Sequence, residues 1–304
     1  MSAIQTTPQR AHMNHWAAAT LVAVLLAACG GGGGPAPIPT VSSVTVQAGS
    51  AKYGQDMVIV VTGTDVDQQL FVTSPSCTGM YLSTTAPFVS GTGTAYYRCR
   101  VSALGTFQVT VARAVDRVVL GSAPYTVSTP QVSMTITEGA TTGTMLFTLR
   151  PENAPLTVNN FLDYVNSGFY LGTVFHRVGN STGVVQGGGY LPLTPGVAPV
   201  LKPNGKAPVA LEVGRGLSNL QWTLGMARDP SVANSATSQF YINVVDNASL
   251  DGLGGGYAVF GAVSAGTTNV VTFMDTAPCT PFPAIGSECA PNTNIIITAA
   301  VQTQ

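Results

Sequence analysis

The chain has 304 residues, and its 12 Lys and Arg stand against 13 Asp and Glu, a formal charge of −1. Charged residues make up 8%, far below the roughly 25% of typical soluble proteins, which excludes a basic surface that could hold nucleic acid by counter-ion release. The length accommodates two domains, and a composition rich in Gly, Ser, Thr, Val and Ala favours strands and turns.

Residues 1–28 read as an export signal, in keeping with the low charge. Arg10 supplies a positive n-region, and Trp16 to Ala28 is an apolar run too short to span a bilayer. The run ends in Leu26-Ala27-Ala28-Cys29, which resembles the lipobox of bacterial lipoproteins. That resemblance implies cleavage before Cys29, lipidation of its sulfur, and a lipid-anchored place in the cell envelope facing the periplasm, with the outer membrane favoured. Each buried methylene of an acyl chain contributes about 0.8 kcal/mol, so more than one chain makes such an anchor durable. A plain secretory peptide is the alternative. Residues 29–39 contain Gly30 to Gly34 followed by a Pro-rich stretch, which makes a tether and not a core.

With Cys29 assigned to lipid, Cys77, Cys99, Cys279 and Cys289 remain. An even number in an oxidising compartment reads as two disulfides, with three pairings open. The division into domains favours Cys77–Cys99 and Cys279–Cys289. Zinc is the competing reading, but no pair has C-x-x-C spacing and His176 is the single histidine beyond the signal. No metal and no other cofactor is expected.

From residue 40 to 128 short runs such as DMVIVVTG, AYYRCRV and GTFQVTVAR alternate with Gly, Pro, Ser and Asp. They predict a small antiparallel β-sandwich, immunoglobulin-like in broad class, though without the buried Trp of antibody domains. It gathers no titratable cluster and reads as a spacer or interaction module.

A second domain is predicted over residues 131–304. Val132 to Ile136 and Thr144 to Leu149 flank the turn EGATTG as a hairpin. A helix follows from Pro155, with Val158, Phe161, Leu162 and Val165 at i, i+3, i+4 and i+7 and a stop at Ser167-Gly168. Beyond it lie the strands TVFHRV, GVVQGGG, WTLGMAR, SATSQFYINV and YAVFGAV. Pro192 to Pro208 carries five prolines and reads as a long loop. Within FHRV, Arg177 sits between apolar neighbours. Its rigid, always-charged fork is costly to bury without a task. A structural salt bridge is the other reading.

The order AP-x-TV-x-NF-x-x-YVNSGFY, FHRV, QGGG, LGMAR, SATSQFYI, LDG and YAVFG resembles the cyclophilin family of peptidyl-prolyl cis–trans isomerases, in its bacterial exported branch. It covers the chain from about Val132 to the end. The resemblance implies an eight-stranded antiparallel barrel capped by two helices, the second near Asn269 to Met274. It gives Arg177 the catalytic role, with Gln186 orienting it and bonding the substrate backbone. His176 lies near the site and is not an acid–base catalyst. His176, Met226, Ala227, Gln239, Phe240, Tyr241, Leu250 and Tyr257 are implied to contribute to substrate binding, with the proline ring held by Met226, Tyr241 and Leu250.

The implied reaction needs neither nucleophile nor metal. Rotating an X–Pro bond disrupts amide resonance against a barrier of about 18–20 kcal/mol, and donors aimed at the twisted amide lower it. The partners implied are proline-containing segments of exported proteins, met by a monomer. Three departures from the family stand out. Gly183 and Val184 occupy positions where Phe and Met are usual, Tyr241 replaces a common Phe, and Ser249 replaces an aromatic that supports cyclosporin binding. The rival to an enzyme is a module of the same fold that holds proline segments without useful turnover. A serine hydrolase has no G-x-S-x-G elbow to support it.

Overall fold

Period-two patterning and β-branched residues build nearly all of the fold. A computed structural model describes residues 37–179, 182–285 and 288–304. The signal, Cys29 and the first part of the tether lie outside the described residues. Residues Ile38–Gln304 form one compact unit. Among the described residues no helix is long and apolar enough to cross a membrane.

The first part comprises β1 (Thr40–Val46), β2 (Asp56–Thr64), β3 (Leu70–Thr73), β4 (Cys77–Leu82), β5 (Thr84–Thr85), β6 (Phe88–Val89), β7 (Thr94–Val101), β8 (Gly105–Arg113) and β9 (Val119–Val127). One sheet has the order β1-β2-β7-β4 and a second has β3-β8-β9, with β5 and β6 a small ribbon. All these pairs are antiparallel. Alternation is cleanest in β7, where Ala95, Tyr97, Cys99 and Val101 are buried. They join Ile59, Val61, Val109 and Val111 in the core. Cys77–Cys99 links β4 and β7, neighbours within one sheet. In antibody domains the corresponding bridge spans the two sheets.

After Ser128–Pro130 the chain enters β10 (Gln131–Glu138) and β11 (Thr141–Leu149), the predicted hairpin. There follow α1 (Pro155–Asn166), β12 (Val174–Arg177), β13 (Val184–Gly187), β14 (Thr223–Met226), β15 (Phe240–Asn243), β16 (Val259–Val263), α2 (Thr268–Asp275), β17 (Cys279–Phe282), β18 (Glu288–Pro291) and β19 (Ile295–Gln302). Eight of these strands close a barrel in the order β10-β11-β16-β14-β15-β13-β12-β19. The neighbours are antiparallel. The two remaining strands, β17 and β18, pair as a separate hairpin bridged by Cys279–Cys289.

Helix α1 buries the predicted stripe Val158, Phe161, Leu162 and Val165. Phe161 plugs one end of the barrel core, with Phe240, Phe260 and Tyr170 at ring separations of 5.3, 5.1 and 5.4 Å. Its N-terminal cap comes from far along the chain. Ala154 cannot cap, so the buried Glu212 carboxylate accepts from the Thr157 N–H at 2.8 Å and its hydroxyl at 2.9 Å, satisfying a donor that the helix leaves open. The second cap, α2, covers residues one longer at each end than the predicted stretch and buries Val270, Val271 and Met274.

Candidate active site

Four contiguous strands carry the site, and pairing register puts its key residues in one row. Arg177 on β12 opposes Gln186 on β13, which opposes Tyr241 on β15, which opposes Gly225 on β14. Adjacent strands lie about 4.8 Å apart, so these side chains are immediate neighbours on one face. Phe175 and Arg177 are two residues apart and would share a face in a regular strand. A register shift between them makes His176 an extra residue. This bulge leaves Phe175 in the core and turns Arg177 out to the cleft.

Arg177 Nη1 donates to Gln186 Oε1 at 3.2 Å, and Nη2 donates to Thr182 Oγ1 at 2.8 Å. Gln186 Nε2 in turn donates to Gln239 Oε1 at 3.0 Å. The guanidinium also pairs with the Glu288 carboxylate at 2.8 Å. Its Nε is buried with no acceptor among the described residues.

Beside this relay lies a cavity of about 330 Å³, walled by Val184, Ala227, Pro230, Tyr241, Leu250, Leu253 and Tyr257, with Arg177, Thr182, Gln186 and Arg228 supplying polar groups. Gly225 makes room for the Tyr241 ring, because a Cβ there would sit 2.1 Å from Tyr241 Cζ. The Tyr241 hydroxyl donates to the buried Asn219 Oδ1 at 2.6 Å. Burial pushes that phenol's pKa far up, with Tyr257 and Asp251 adding to the shift, so it stays a neutral donor. Asn219 Nδ2 reaches Asp251 Oδ1 at 2.7 Å. The network thereby ties Tyr241 to the 3₁₀ turn Ala248–Asp251 that presents Leu250. Arg228 lies over the Tyr257 ring at 4.6 Å and donates to the carbonyls of Gly254 and Gly256, holding the opposite rim.

Of the sequence-predicted residues, Arg177, Gln186, Ala227, Tyr241, Leu250 and Tyr257 come together around this cavity. Gln239 lines an adjoining recess with Gln186. His176, Met226 and Phe240 are corrections, since all three are buried and none lines the groove. Successive strand residues face opposite ways, so Met226 points in where Ala227 points out, and Phe240 points in where Tyr241 points out. The apolar wall of the cavity is therefore made by Tyr241 and Leu250 with Val184, Pro230 and Leu253. Thr182, Arg228, Pro230, Leu253 and Glu288 were not singled out from the sequence; Arg228, directly after Ala227 in LGMAR, had the clearest signal. The structure also accounts for the missing aromatic at Gly183. Its φ is +64°, and a Cβ there would sit 2.4 Å from Val245 Cγ2. No large side chain fits this backbone unchanged.

His176 is buried, with its ring edge-on to Tyr190 at 4.8 Å. Burial and the adjacent Arg177 charge lower its pKa to about 3, so it is neutral at ordinary pH. The unfolded chain takes up this proton below about pH 6.5 and the folded chain does not. Stability is therefore complete above pH 6.5 and falls by about 1.4 kcal/mol per unit below it, down towards pH 3. Urea unfolding at pH 7 and pH 5 should show about 2 kcal/mol more loss in the wild type than in His176→Leu. An equal loss in both would contradict a neutral buried imidazole.

Among the described residues no group of three or more His, Cys, Asp or Glu side chains is placed to hold a metal ion. Residues 132–300 match the family model described as cyclophilin type peptidyl-prolyl cis-trans isomerase/CLD. Peptidyl-prolyl cis-trans isomerase A of Dickeya dadantii is 48% identical over 126 residues, which cover 41% of this chain and 62% of that protein. Peptidyl-prolyl cis-trans isomerase B of Escherichia coli is 45% identical over 120 residues, covering 38% of this chain and 68% of that protein. A crystal structure of a cyclophilin type isomerase from Cryptosporidium parvum aligns with a TM-score of 0.42 at 23% identity, over 58% of this chain and 98% of that one. With a family match running through more than half of its length, from β10 into β19, the chain belongs to the cyclophilin-type peptidyl-prolyl cis-trans isomerases.

Proposed function

We propose that the chain accelerates cis–trans rotation of X–Pro bonds in exported proteins. The observation that carries this reading is the placement of an oriented arginine against an apolar cavity. Gln186 and Thr182 hold the Arg177 fork, and the pocket of Tyr241, Leu250 and their neighbours begins beside it. The pocket takes the proline ring, while Arg177 donates to the amide as resonance is lost. Donors already in place where charge develops stabilise the transition state more than the ground state. His176, neutral and buried, takes no part in proton transfer.

Uncatalysed rotation takes tens to hundreds of seconds, slow enough to limit folding after export. The lipobox-like stretch ending at Cys29 supports a lipid-anchored enzyme on the periplasmic side of the envelope, acting as a monomer on emerging chains. Metabolic labelling with a fatty-acid analogue tests the anchor; no label on Cys29 sinks it. Catalysis is tested on an X–Pro peptide and on a proline-limited refolding protein, where acceleration is expected. A well-folded chain that accelerates neither would leave the second reading, a proline-segment binder without turnover. The absent side chain at Gly183 is what favours that rival.

A further inference from the structure

We infer that Glu288, carried on the disulfide-tied hairpin, is a positioning residue that fixes the guanidinium of Arg177. The inference rests on the isomerase reading for its kinetic consequence, and on geometry alone for the positioning itself. Strand β12 pairs with β19 only at Val174 and Phe175. Where β19 leaves, β18 takes over, and the Val178 N–H donates to the Cys289 carbonyl at 2.9 Å. Cys289 is bridged to Cys279, whose Sγ lies 3.9 Å from the Val178 carbonyl. The next turn of backbone is tied as well, since the Gly179 N–H donates to Asp275 Oδ1 at 3.3 Å. One residue before Cys289, Glu288 is thereby delivered to Arg177 at 2.8 Å.

The pair is not an ordinary surface contact. The side chains are 19% and 31% exposed, so solvent screens the charges less than on an open surface. The guanidinium is held from two sides: Gln186 takes Nη1, while Thr182 and Glu288 take Nη2. Without Glu288 the fork keeps only neutral acceptors, Gln186 Oε1 on Nη1 and Thr182 Oγ1 on Nη2, which restrain rotation about Nε–Cζ more weakly than a carboxylate does. With Glu288 in place Nη2 gains an anionic acceptor beside Thr182, and the fork is held in one orientation to the cavity. Charge-assisted bonds of this kind are directional as well as strong. The hairpin is thus joined to the catalytic row through a side chain, although its strands stand outside the barrel.

The test uses side-chain nitrogen NMR on the full mature chain, with the Arg177 signals assigned by their loss in Arg177→Ala. In the wild type the two Nη groups should give separate signals, because rotation about Nε–Cζ is slow. In Glu288→Ala they should merge, and in Glu288→Gln, which keeps an acceptor, they should stay partly resolved. Kinetically, Glu288→Ala should lower kcat about three- to tenfold with little change in KM, and Glu288→Gln should recover part of it. Equally resolved Arg177 signals in wild type and Glu288→Ala overturn the inference. So does an active enzyme whose kcat is unchanged or raised by Glu288→Ala. An inactive wild type would sink the isomerase reading while the NMR comparison still decides the positioning.

Discussion

Replacing Arg177 by alanine should lower kcat/KM for X–Pro isomerisation by about 10²–10³-fold, the range seen when a preorganised donor to a developing charge is removed. The loss has two origins. The donor itself disappears from the edge of the cavity, and the acceptors that converge on it, Gln186 Oε1, Thr182 Oγ1 and the Glu288 carboxylate, are left facing one another. The loss should fall mainly on kcat, because the substitution leaves intact the apolar walls at Tyr241, Leu250 and Leu253 that are proposed to take the proline ring. Arg177→Lys keeps the charge but not the planar fork that meets partners on both nitrogens at once, so it should restore only a small part of the rate. Urea unfolding run beside the kinetics separates a catalytic loss from a folding one. If Arg177→Ala turns over within threefold of the wild type, the site is not working through this arginine.

The row of Arg177, Gln186 and Tyr241 also shows what the sequence could and could not disclose. The order of FHRV, QGGG, LGMAR and SATSQFYI located the strands and the relevant residue types. The stripe on α1 and the hairpin at residues 131–149 were readable from periodicity alone, because each is a local pattern with one buried face. Which residue of a pair enters the cleft was less accessible. Met226 and Ala227 differ only by the pleat, and the face of the pleat is set by how the barrel closes. The bulge at His176 depends on pairing with a strand that lies a loop away. Glu288 and Asn219 were hidden for the same reason. Each reaches the site across a large separation in the chain, and neither carries a spacing that points to its partner.

The junction between the two-sheet part and the barrel is a further case, because no sequence pattern points to the residues that form it. The junction centres on Gln302, the last residue of β19, which is 4% exposed. Its Oε1 accepts from Gln55 Nε2 at 2.8 Å and from Asn166 Nδ2 at 2.9 Å. Its Nε2 donates to the carbonyls of Tyr53 at 3.0 Å and Gln304 at 2.8 Å. Both lone pairs and both N–H groups of the amide are therefore used, and Lys52 Nζ donates to the backbone carbonyl of the same residue at 3.1 Å. Nearby, Arg100 on β7 pairs with Asp163 on α1 at 2.7 Å. This ion pair is half exposed and adds little by itself, whereas the buried amide joins three segments at once.

Gln302→Ala leaves Asn166 Nδ2 and the Tyr53 carbonyl without their partner and takes one of two acceptors from Gln55 Nε2, and should cost about 2–3 kcal/mol. For a unit of this size that is a fall in Tm of roughly 5–10 °C. Calorimetry of the wild type should show one transition for the whole of Ile38–Gln304, since breaking either part exposes the junction of the other. The same substitution should leave kcat/KM at 25 °C unchanged. Gln302 lies six residues along β19 from Ile296, the partner of Val174 on the arginine strand, and at 3.3 Å per residue that is about 20 Å. Two separated transitions in the wild type, insensitive to Gln302→Ala, would mean that the sandwich and the barrel fold independently and that the amide network does not couple them.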